Sequence, residues 1–470
     1  MRSTLRFTLD GQPVEFTFSD AEGSRPTTTV LNYLRSLPGH RGVKEGCAEG
    51  DCGACTVVVA ERLPDGSTAW RAIDSCLLFL PMLDGKHLVT VEHLAQNGLH
   101  PVQQAMVDLH GSQCGYCTPG FIMSMFALAK SSRQPSREQI DRALAGNLCR
   151  CTGYRPIVAA AAAACVHGES ERHAEDVESH PPESLVVETP RQRYFRPVSL
   201  PEAVSLRHQH PEAVVVAGAT DVALRVTKGH ELLPCILDCS NIQELKTVRQ
   251  EGGVFAIGAG VSLETFTGLA AVDFPAFASM LSVFGSQQIR SMGTLAGNLA
   301  TASPIGDMIP VLIAHGASVA LESLNGRRTL PVESFLTGYR TTALRRDELI
   351  TAILLPRPAG VVRAYKVSKR RDLDIATMSA AFRLVLSPGG AVEALDAVYG
   401  GMDSRVRRAA SVERFLPGKP WTRTTVEEAS RLLDTEFRPL SDVRGSAAFR
   451  SAAARNVLIK FWSETQHNER

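Results

Sequence analysis

Residues 44–55 read Lys44-Glu45-Gly46-Cys47-Ala48-Glu49-Gly50-Asp51-Cys52-Gly53-Ala54-Cys55, and a fourth cysteine, Cys76, follows after twenty intervening residues. The pattern C-x4-C-x2-C…C is the spacing of plant-type [2Fe–2S] ligation. The reason is steric. Three thiolates on one loop must converge on a small cluster. Gly46, Gly50 and Gly53 let the backbone curl round it and turn N–H groups towards the sulfurs. Such a cluster with its thiolates is an anion in both redox states, so nearby amide dipoles tune its potential. Structural zinc is the alternative, but zinc sites usually pair two short C-x2–4-C units.

Outward from this loop the chain reads as a small α+β unit ending near Glu92. Two short strands in Leu5–Phe18 turn around Asp10-Gly11, a hairpin signal. A helix follows, capped by Thr28 or Thr29, with Val30, Leu31, Leu34 and Leu37 on one face, and Pro38-Gly39 stops it. Thr56–Ala60 is a strand. The next stretch is helical. Pro101 opens one helix, with Val102, Ala105, Met106 and Leu109 on its apolar face. A second runs from about Pro119 to Ala129. Ser136 to Gln139 is a capping box that starts a third, stopped at Gly146, and Ile157 to Cys165 forms a fourth.

A second set, Cys114-Gly115-Tyr116-Cys117, then 31 residues, then Cys149-Arg150-Cys151, falls between these helices. Residues two apart diverge on a helix but share a face on extended chain. Cys149 and Cys151 therefore belong to the loop between the third and fourth helices, and Cys114 and Cys117 to the loop between the first and second. One centre would tie the tips of two helical hairpins, with Arg150 offsetting its charge. From spacing alone that centre is either an iron–sulfur cluster or zinc.

Composition narrows the class. The 470 residues suggest roughly three domains. Lys plus Arg number 50 and Asp plus Glu 49, a net charge of +1, which argues against nucleic acid as a partner. With 44% apolar and 21% charged residues the chain reads as globular and not disordered. The longest apolar run, Ile157 to Val166, has ten residues and falls short of the roughly 18 that a membrane helix needs. The N-terminus enters strand-like alternation without a signal-peptide core, so the expected location is cytoplasmic, with no membrane association. In that reducing setting clustered cysteines bind metal more often than they pair. Eight of the eleven lie between Cys47 and Cys151, and Cys165, Cys235 and Cys239 read as buried free thiols.

From Gly168 to Pro190 seven acids face one base and Pro181-Pro182 interrupts, the composition of a solvated linker. Beyond it the pattern is mixed α/β, with strands at Val214–Val216, Val254–Ile257 and Ser318–Leu321. A boundary is expected at Pro356-Arg357-Pro358. Further strands lie near Ala380–Leu386 and Ala394–Val398, separated by Gly389-Gly390. Gly218, Gly293 and Gly297 lie where bare backbone N–H groups can line a pyrophosphate. None of these loops is a Rossmann G-x-G-x-x-G, and Gly258-Ala259-Gly260 lacks the third glycine.

Together, the Lys44–Cys55 loop, the Gln113–Gly120 segment and Gly146–Pro156, which holds Asn147-Leu148-Cys149-Arg150-Cys151-Thr152-Gly153-Tyr154-Arg155, resemble the iron–sulfur half of the molybdenum hydroxylases (the xanthine dehydrogenase/aldehyde oxidase family). The remainder resembles that family's flavin domain. Val215, Val216, Ala217, Gly218, Ala219, Thr220, Asp221 and Val222 match its first FAD-binding loop. The run from Phe284 to Asp307 matches the second, through Phe284, Thr294, Gly297, Asn298, Ser303, Pro304 and Asp307. Ala364 to Lys366 and the segment from Asp372 match later flavin-side stretches.

The resemblance implies a multidomain α+β chain. Residues 1–92 would be a plant-type β-grasp ferredoxin-like domain and 93–167 a four-helix [2Fe–2S] domain. Residues 168–190 are the acidic linker. Residues 191–358 would be a two-part α+β FAD-binding domain of the vanillyl-alcohol-oxidase type, and 359–470 a C-terminal α+β subdomain. It implies two [2Fe–2S] clusters, on Cys47, Cys52, Cys55 and Cys76 and on Cys114, Cys117, Cys149 and Cys151. It also implies one FAD, held by the two loops and Lys366.

Gln113 matches a family glutamine that contacts molybdopterin. No molybdopterin-binding segment is recognised, so the expected partner is a molybdopterin-binding large subunit in an (αβ)2 heterotetramer. Substrate hydroxylation would occur there, and no catalytic residue for it lies in this chain. The implied function is that of the iron–sulfur/FAD subunit of an enzyme of the xanthine dehydrogenase type. It would pass electrons from purine oxidation (hypoxanthine and xanthine to urate) through the clusters and FAD to NAD+. The alternative is the same role in aldehyde or N-heterocycle oxidation. A zinc-stabilised scaffold without redox activity is the reading from a different class, and it would be colourless.

Overall fold

The structure is a computed structural model that describes residues 2–20, 23–63, 65–95, 98–166 and 183–466. It forms two compact units, Met1–Ile242 with Gly285–Gly293, and Gln243–Phe284 with Thr294–Arg470.

The first unit opens with β1 (Leu5–Leu9) and β2 (Gln12–Phe16), paired antiparallel. Asp10 and Gly11 at their turn have φ of 51° and 79°, the left-handed pair that a two-residue hairpin requires. Helix α1 (Val30–Ser36) is capped by Thr29, whose hydroxyl accepts from the Asn32 N–H at 3.2 Å. Strands β3 (Thr56–Arg62), β4 (Thr68–Asp74) and β5 (His87–Val89) complete a sheet of order β2-β1-β5-β3-β4. In it β1 is parallel to β5 and the other pairs are antiparallel. Val30, Leu31 and Leu34 of α1 share a core with Leu5, Phe7, Leu9 and Val57, the β-grasp arrangement expected from the sequence.

Four helices follow: α2 (Pro101–Asp108), α3 (Thr118–Ser131), α4 (Arg137–Leu144) and α5 (Arg155–Val166). The Ser136/Gln139 capping box forms as read. The cap of α2 is less usual: His100 Nδ1 accepts from the Val102 N–H at 3.2 Å. Phe121, Ile122, Met125 and Phe126 of α3 pack with Ile157, Ala160, Ala161 and Ala164 of α5, where the small alanines let helices approach closely.

The unit ends with β6 (Leu185–Glu188), β7 (Arg193–Arg196), α6 (Leu200–Gln209), β8 (Val214–Val216), α7 (Val222–Thr227) and β9 (Cys235–Asp238). The sheet order is β6-β7-β9-β8, parallel except for the β6–β7 pair. Leu185, Val187, Tyr194, Val216 and Ile236 lie in the same core as Leu5 and Phe7. Arg196, fully buried, sits 3.1 Å from Asp84 and 3.5 Å from Asp238, and Arg2 reaches Asp84 at 2.5 Å. The Tyr194 hydroxyl donates to Asp238 at 2.7 Å, and burial pushes its pKa well up. Of the stretch read as an acidic linker, 168–182 lies outside the described residues. Its later part is β6, built into this sheet. This sheet is therefore not separable from the β-grasp sheet, because one apolar core serves both.

The second unit holds an antiparallel sheet in spatial order Val248–Glu251, Val254–Gly258, Leu349–Pro356, Ser318–Ser323, Gly326–Pro331. Phe266, Phe274 and Phe277 anchor its core. A second antiparallel sheet runs Val361–Val367, Met378–Leu386, Val392–Gly400, Arg407–Arg408. Helices Arg423–Glu436 and Ala447–Thr465 contribute Leu433 and Phe461 to its core beside Phe382 and Tyr399.

His315 is buried among Phe274 and Phe277, its Nδ1–H donating to the Val311 carbonyl at 2.8 Å. Burial pushes its pKa down to about 4 from 6.5. The unfolded chain therefore takes up this proton first. The stability tied to His315 is full above about pH 6.5 and is lost as the pH falls to about 4, a change of about 3 kcal/mol. Urea midpoints at pH 7 and 4.5 should show a larger acid-induced drop in the native protein than in His315→Gln.

Candidate functional site

The first cysteine set occupies the loop between α1 and β3, with Cys76 just after β4. The loop turns through positive φ at Ala48 (56°), Gly50 (80°) and Gly53 (65°). The N–H groups of Glu49 and Asp51 thereby point at Cys47 Sγ, 3.4 and 3.3 Å away. Cys55 and Cys76, both buried, have their sulfurs 3.4 Å apart. A hydrogen bond from Cys52, followed by the N–H groups of Glu49, Asp51 and Cys52, outweighs burial and holds Cys47 down to about 5. A thiolate here is what a metal needs. Cys55 also lies 3.6 Å from Asp74, a fully buried carboxyl that desolvation raises far above the usual range.

The second set sits where the helix pattern places it. Cys114 and Cys117 lie between α2 and α3, and Cys149 and Cys151 between α4 and α5. The thiols pair: burial and then the Cys149 neighbour push Cys117 up to about 12, and Cys114 hydrogen-bonds Cys151. Thr152 donates to Cys149 Sγ at 3.2 Å, and the Cys149 N–H donates to the Tyr154 hydroxyl at 3.1 Å. Cys114, Cys151 and Gln113 are exposed, with Tyr116, Leu148 and Tyr154 exposed around them.

The two ligand loops meet through their main chains. The Leu148 N–H donates to the Cys52 carbonyl at 3.0 Å. A Cβ at Gly120 would lie 2.2 Å from the Gly53 carbonyl oxygen, and one at Gly53 would lie 2.3 Å from that of Gly146. No side chain fits at this junction. Asn147 spans it, donating to the Gly53 carbonyl at 3.0 Å and to Thr56 Oγ1 at 3.1 Å. Sequence reasoning missed Asn147, Thr56, Ser124 and Gln288, which form one buried network. The available signal was a serine inside the apolar face of α3.

The first loop matched to FAD belongs to the first unit, and the second is divided, with Gly285–Gly293 in the first unit and Phe284 and Thr294–Asp307 in the second. In the first, Val215 to Val222 turn from β8 into α7, with Ala219 at φ 60°. Val216 accepts from the Cys239 N–H at 2.7 Å. Val216 and Ala219 are buried, Val215, Ala217, Gly218, Thr220 and Val222 half-buried, and Asp221 exposed. A Cβ at Gly218 would lie 1.9 Å from the Met292 carbonyl oxygen, so the two segments touch backbone to backbone.

In the second unit, Thr294 caps the helix Leu295–Ala300 by accepting from the Gly297 N–H at 2.9 Å. Asp307, buried, is 2.9 Å from Lys366 Nζ, which also donates to the Val283 carbonyl at 3.1 Å. Burial raises the Asp307 pKa and Lys366 opposes the rise. Phe284 and Ser303 are half-buried. Asn298 Oδ1 and Asp307 Oδ1 are buried with no hydrogen-bond partner. Buried oxygens are rarely left unmet, and hydroxyl or N–H donors of a dinucleotide would satisfy these two. The donor set thus fits the cofactor.

Cys165, Cys235 and Cys239 are buried. Cys235 lies within 4.8 Å of potential ligand atoms of His210 and Glu212. Arg193 already neutralises Glu212 at 3.0 Å, so this group is an ion-paired cluster.

Comparison with known proteins matches four domain families in turn. Residues 7–76 match a 2Fe-2S iron-sulfur cluster binding domain and residues 90–162 a [2Fe-2S] binding domain. Residues 189–358 match the FAD binding domain in molybdopterin dehydrogenase, and residues 363–465 the CO dehydrogenase flavoprotein C-terminal domain. The chain is 32% identical to a xanthine dehydrogenase of Emericella nidulans, over 98% of its own length and 38% of the relative's. It is 34% identical to that of Drosophila pseudoobscura pseudoobscura, over 97% and 39%.

The chain thus spans well under half of these relatives. Among solved structures, a carbon monoxide dehydrogenase from Hydrogenophaga pseudoflava aligns with 58% of the chain and 96% of its own, at 28% identity and TM-score 0.55. Quinoline 2-oxidoreductase from Pseudomonas putida 86 aligns with 59% and 98%, at 26% and 0.55. Two 2Fe–2S domains, an FAD-binding domain and a flavoprotein C-terminal domain follow one another along the sequence, and the chain belongs to the molybdenum hydroxylase family as an iron–sulfur/FAD electron-transfer component.

Proposed function

We propose that this chain links a molybdenum centre on a separate large subunit to NAD+, in oxidation of hypoxanthine and xanthine to urate. The observation that carries the reading is the backbone junction of the two cysteine loops, with the Leu148 N–H on the Cys52 carbonyl at 3.0 Å. Cys47, Cys52, Cys55 and Cys76 are the ligands of one [2Fe–2S] cluster, and Cys114, Cys117, Cys149 and Cys151 those of the other. Val215–Val222, Phe284, Thr294, Gly297, Asn298, Ser303, Asp307 and Lys366 are the FAD contacts. Once bound, these groups supply single-electron carriage and its conversion to a two-electron hydride transfer.

The protein's own part is placement. Main-chain N–H groups face the Cys47 sulfur, Thr152 faces the Cys149 sulfur, and Asp307 with Lys366 presents a charge-balanced oxygen. Gln113, exposed beside Cys114, is the contact for the partner's molybdopterin. The exposed Tyr116, Leu148 and Tyr154 form the apolar ground on which the large subunit of an (αβ)2 heterotetramer docks. Among the described residues no helix is long and apolar enough to cross a membrane. A second reading, oxidation of an N-heterocycle other than a purine, is favoured by the likeness to quinoline 2-oxidoreductase.

The purified chain should hold about four irons and one FAD, from two dinuclear clusters. NADH should bleach its flavin absorbance, and xanthine should be oxidised only when the large subunit is added. Alanine at Cys165, Cys235 or Cys239 should leave both cluster EPR signals in place. A colourless protein with stoichiometric zinc would overturn the cluster assignment. A flavin-loaded protein inert to NADH would remove NAD+ from it.

A further inference from the structure

Gln288 lies on the short helix Gln287–Met292, in the segment Gly285–Gly293 that packs into the first unit. It is fully buried. Its Nε2 is 3.0 Å from Asn147 Oδ1, 3.1 Å from Ser124 Oγ and 3.4 Å from Thr56 Oγ1. The orientation of this network is fixed from one end. The Gly53 carbonyl can only accept, so Asn147 must turn its Nδ2 towards it, at 3.0 Å. Asn147 Oδ1 is then left to accept, from Ser124 Oγ at 2.6 Å and from Gln288. The Gln288 amide must therefore present its NH2 group to Asn147. Its Oε1 is left with no hydrogen-bond partner, close over Gly146.

A buried carbonyl without a partner costs free energy, so the three contacts of the NH2 group must outweigh it. Those contacts have a common property. Gly53 and Thr56 adjoin Cys52 and Cys55, Asn147 is two residues before Cys149, and Ser124 is on the helix that begins after Cys117. One side chain from a distant segment thus meets side chains beside both cysteine loops, and Asn147 carries the contact on to the Gly53 carbonyl.

We propose that Gln288 is a positioning residue that sets the relative potentials of the two clusters, by fixing the main-chain segments that carry Cys52, Cys55 and Cys149. This rests on the reading of the two cysteine sets as cluster ligands. Cluster potentials respond to hydrogen bonds and dipoles around the sulfurs. Releasing Asn147 loosens the junction at which the Leu148 N–H meets the Cys52 carbonyl.

The test is an EPR-monitored redox titration of the purified full chain, unaltered and as Gln288→Leu, which keeps the bulk and removes the amide. Both signals and the iron content should persist. The equilibrium share of one electron between the clusters should change by about threefold or more, on the scale of 59 mV per tenfold. Magnetic broadening between the two reduced clusters should also change. Where Gln288→Leu does not fold, Gln288→Asn draws the amide back by one methylene and is read the same way. In a cycle with Asn147→Ala the two effects should not add. A variant with a lowered melting temperature but unaltered potentials and broadening would show a merely structural role and overturn the proposal. Absence of iron signals from the unaltered protein would instead strike at the ligand reading beneath it.

Discussion

Serine at Cys52 should abolish one of the two cluster EPR signals and leave the other at full intensity, and serine at Cys117 should do the reverse. A hydroxyl at these positions is a poor substitute for a thiolate towards iron and sulfide. The selectivity follows from how the two loops touch. They share the Leu148–Cys52 hydrogen bond and the Gly53–Gly120 approach, and both use main-chain atoms that the substitution leaves alone. Each thiol set has its own supports, the N–H groups of Glu49 and Asp51 on one side and Thr152 and Tyr154 on the other. Loss of both signals from either single variant would mean that the sets do not hold two independent centres.

Alanine at Gly218 should lower FAD content at least tenfold while both cluster signals remain. The added methyl would sit 1.9 Å from the Met292 carbonyl oxygen, with the Met292 carbonyl carbon and the Gly293 nitrogen just behind it. All three are backbone atoms, so no rotamer change relieves the clash. The β8–α7 turn must part from residues 292–293. Overpacking of this kind costs about 1–3 kcal/mol or more, and each 1.4 kcal/mol taken from binding is about tenfold. Gly268, in the helix Leu263–Asp273 and with open space around it, is the control. Alanine there should leave FAD content unchanged. Equal FAD in the Gly218 and Gly268 variants would remove the first loop from the binding site.

The parts of the fold readable in the sequence were those with local causes. The Asp10-Gly11 turn, the Ser136 capping box and the alanine-rich α5 each follow from a few adjacent residues. The places of Cys114, Cys117, Cys149 and Cys151 followed from helix periodicity, and those of Cys47, Cys52, Cys55 and Cys76 from their spacing and the glycines among them. Strand β6 was hidden because Leu185–Glu188 is four residues long and follows a run of acids. The His100 cap escaped because an imidazole is an uncommon acceptor there. The flavin residues came from family resemblance, and no local pattern announces that Asp307 and Lys366, 59 positions apart, meet at 2.9 Å. Gln288 is harder still. Its partners come from three separate segments, and each is unremarkable until they converge.

The core running from Leu5 to Ile236 limits how this protein can be recombined. Arg196 is enclosed with Asp84 on one side and Asp238 on the other. A chimera whose first 92 residues come from a relative without an acid at position 84 strands that guanidinium with half its counter-charge. Breaking such a pair costs about 3–5 kcal/mol. The graft also bares Leu185, Val187, Tyr194 and Ile236 unless the incoming sheet matches their shapes. A chain cut between 168 and 182 is by the same logic a split protein, whose pieces stay mated and co-purify. Gene shuffling in this lineage is therefore not free to exchange the ferredoxin-like domain apart from strands β6 to β9.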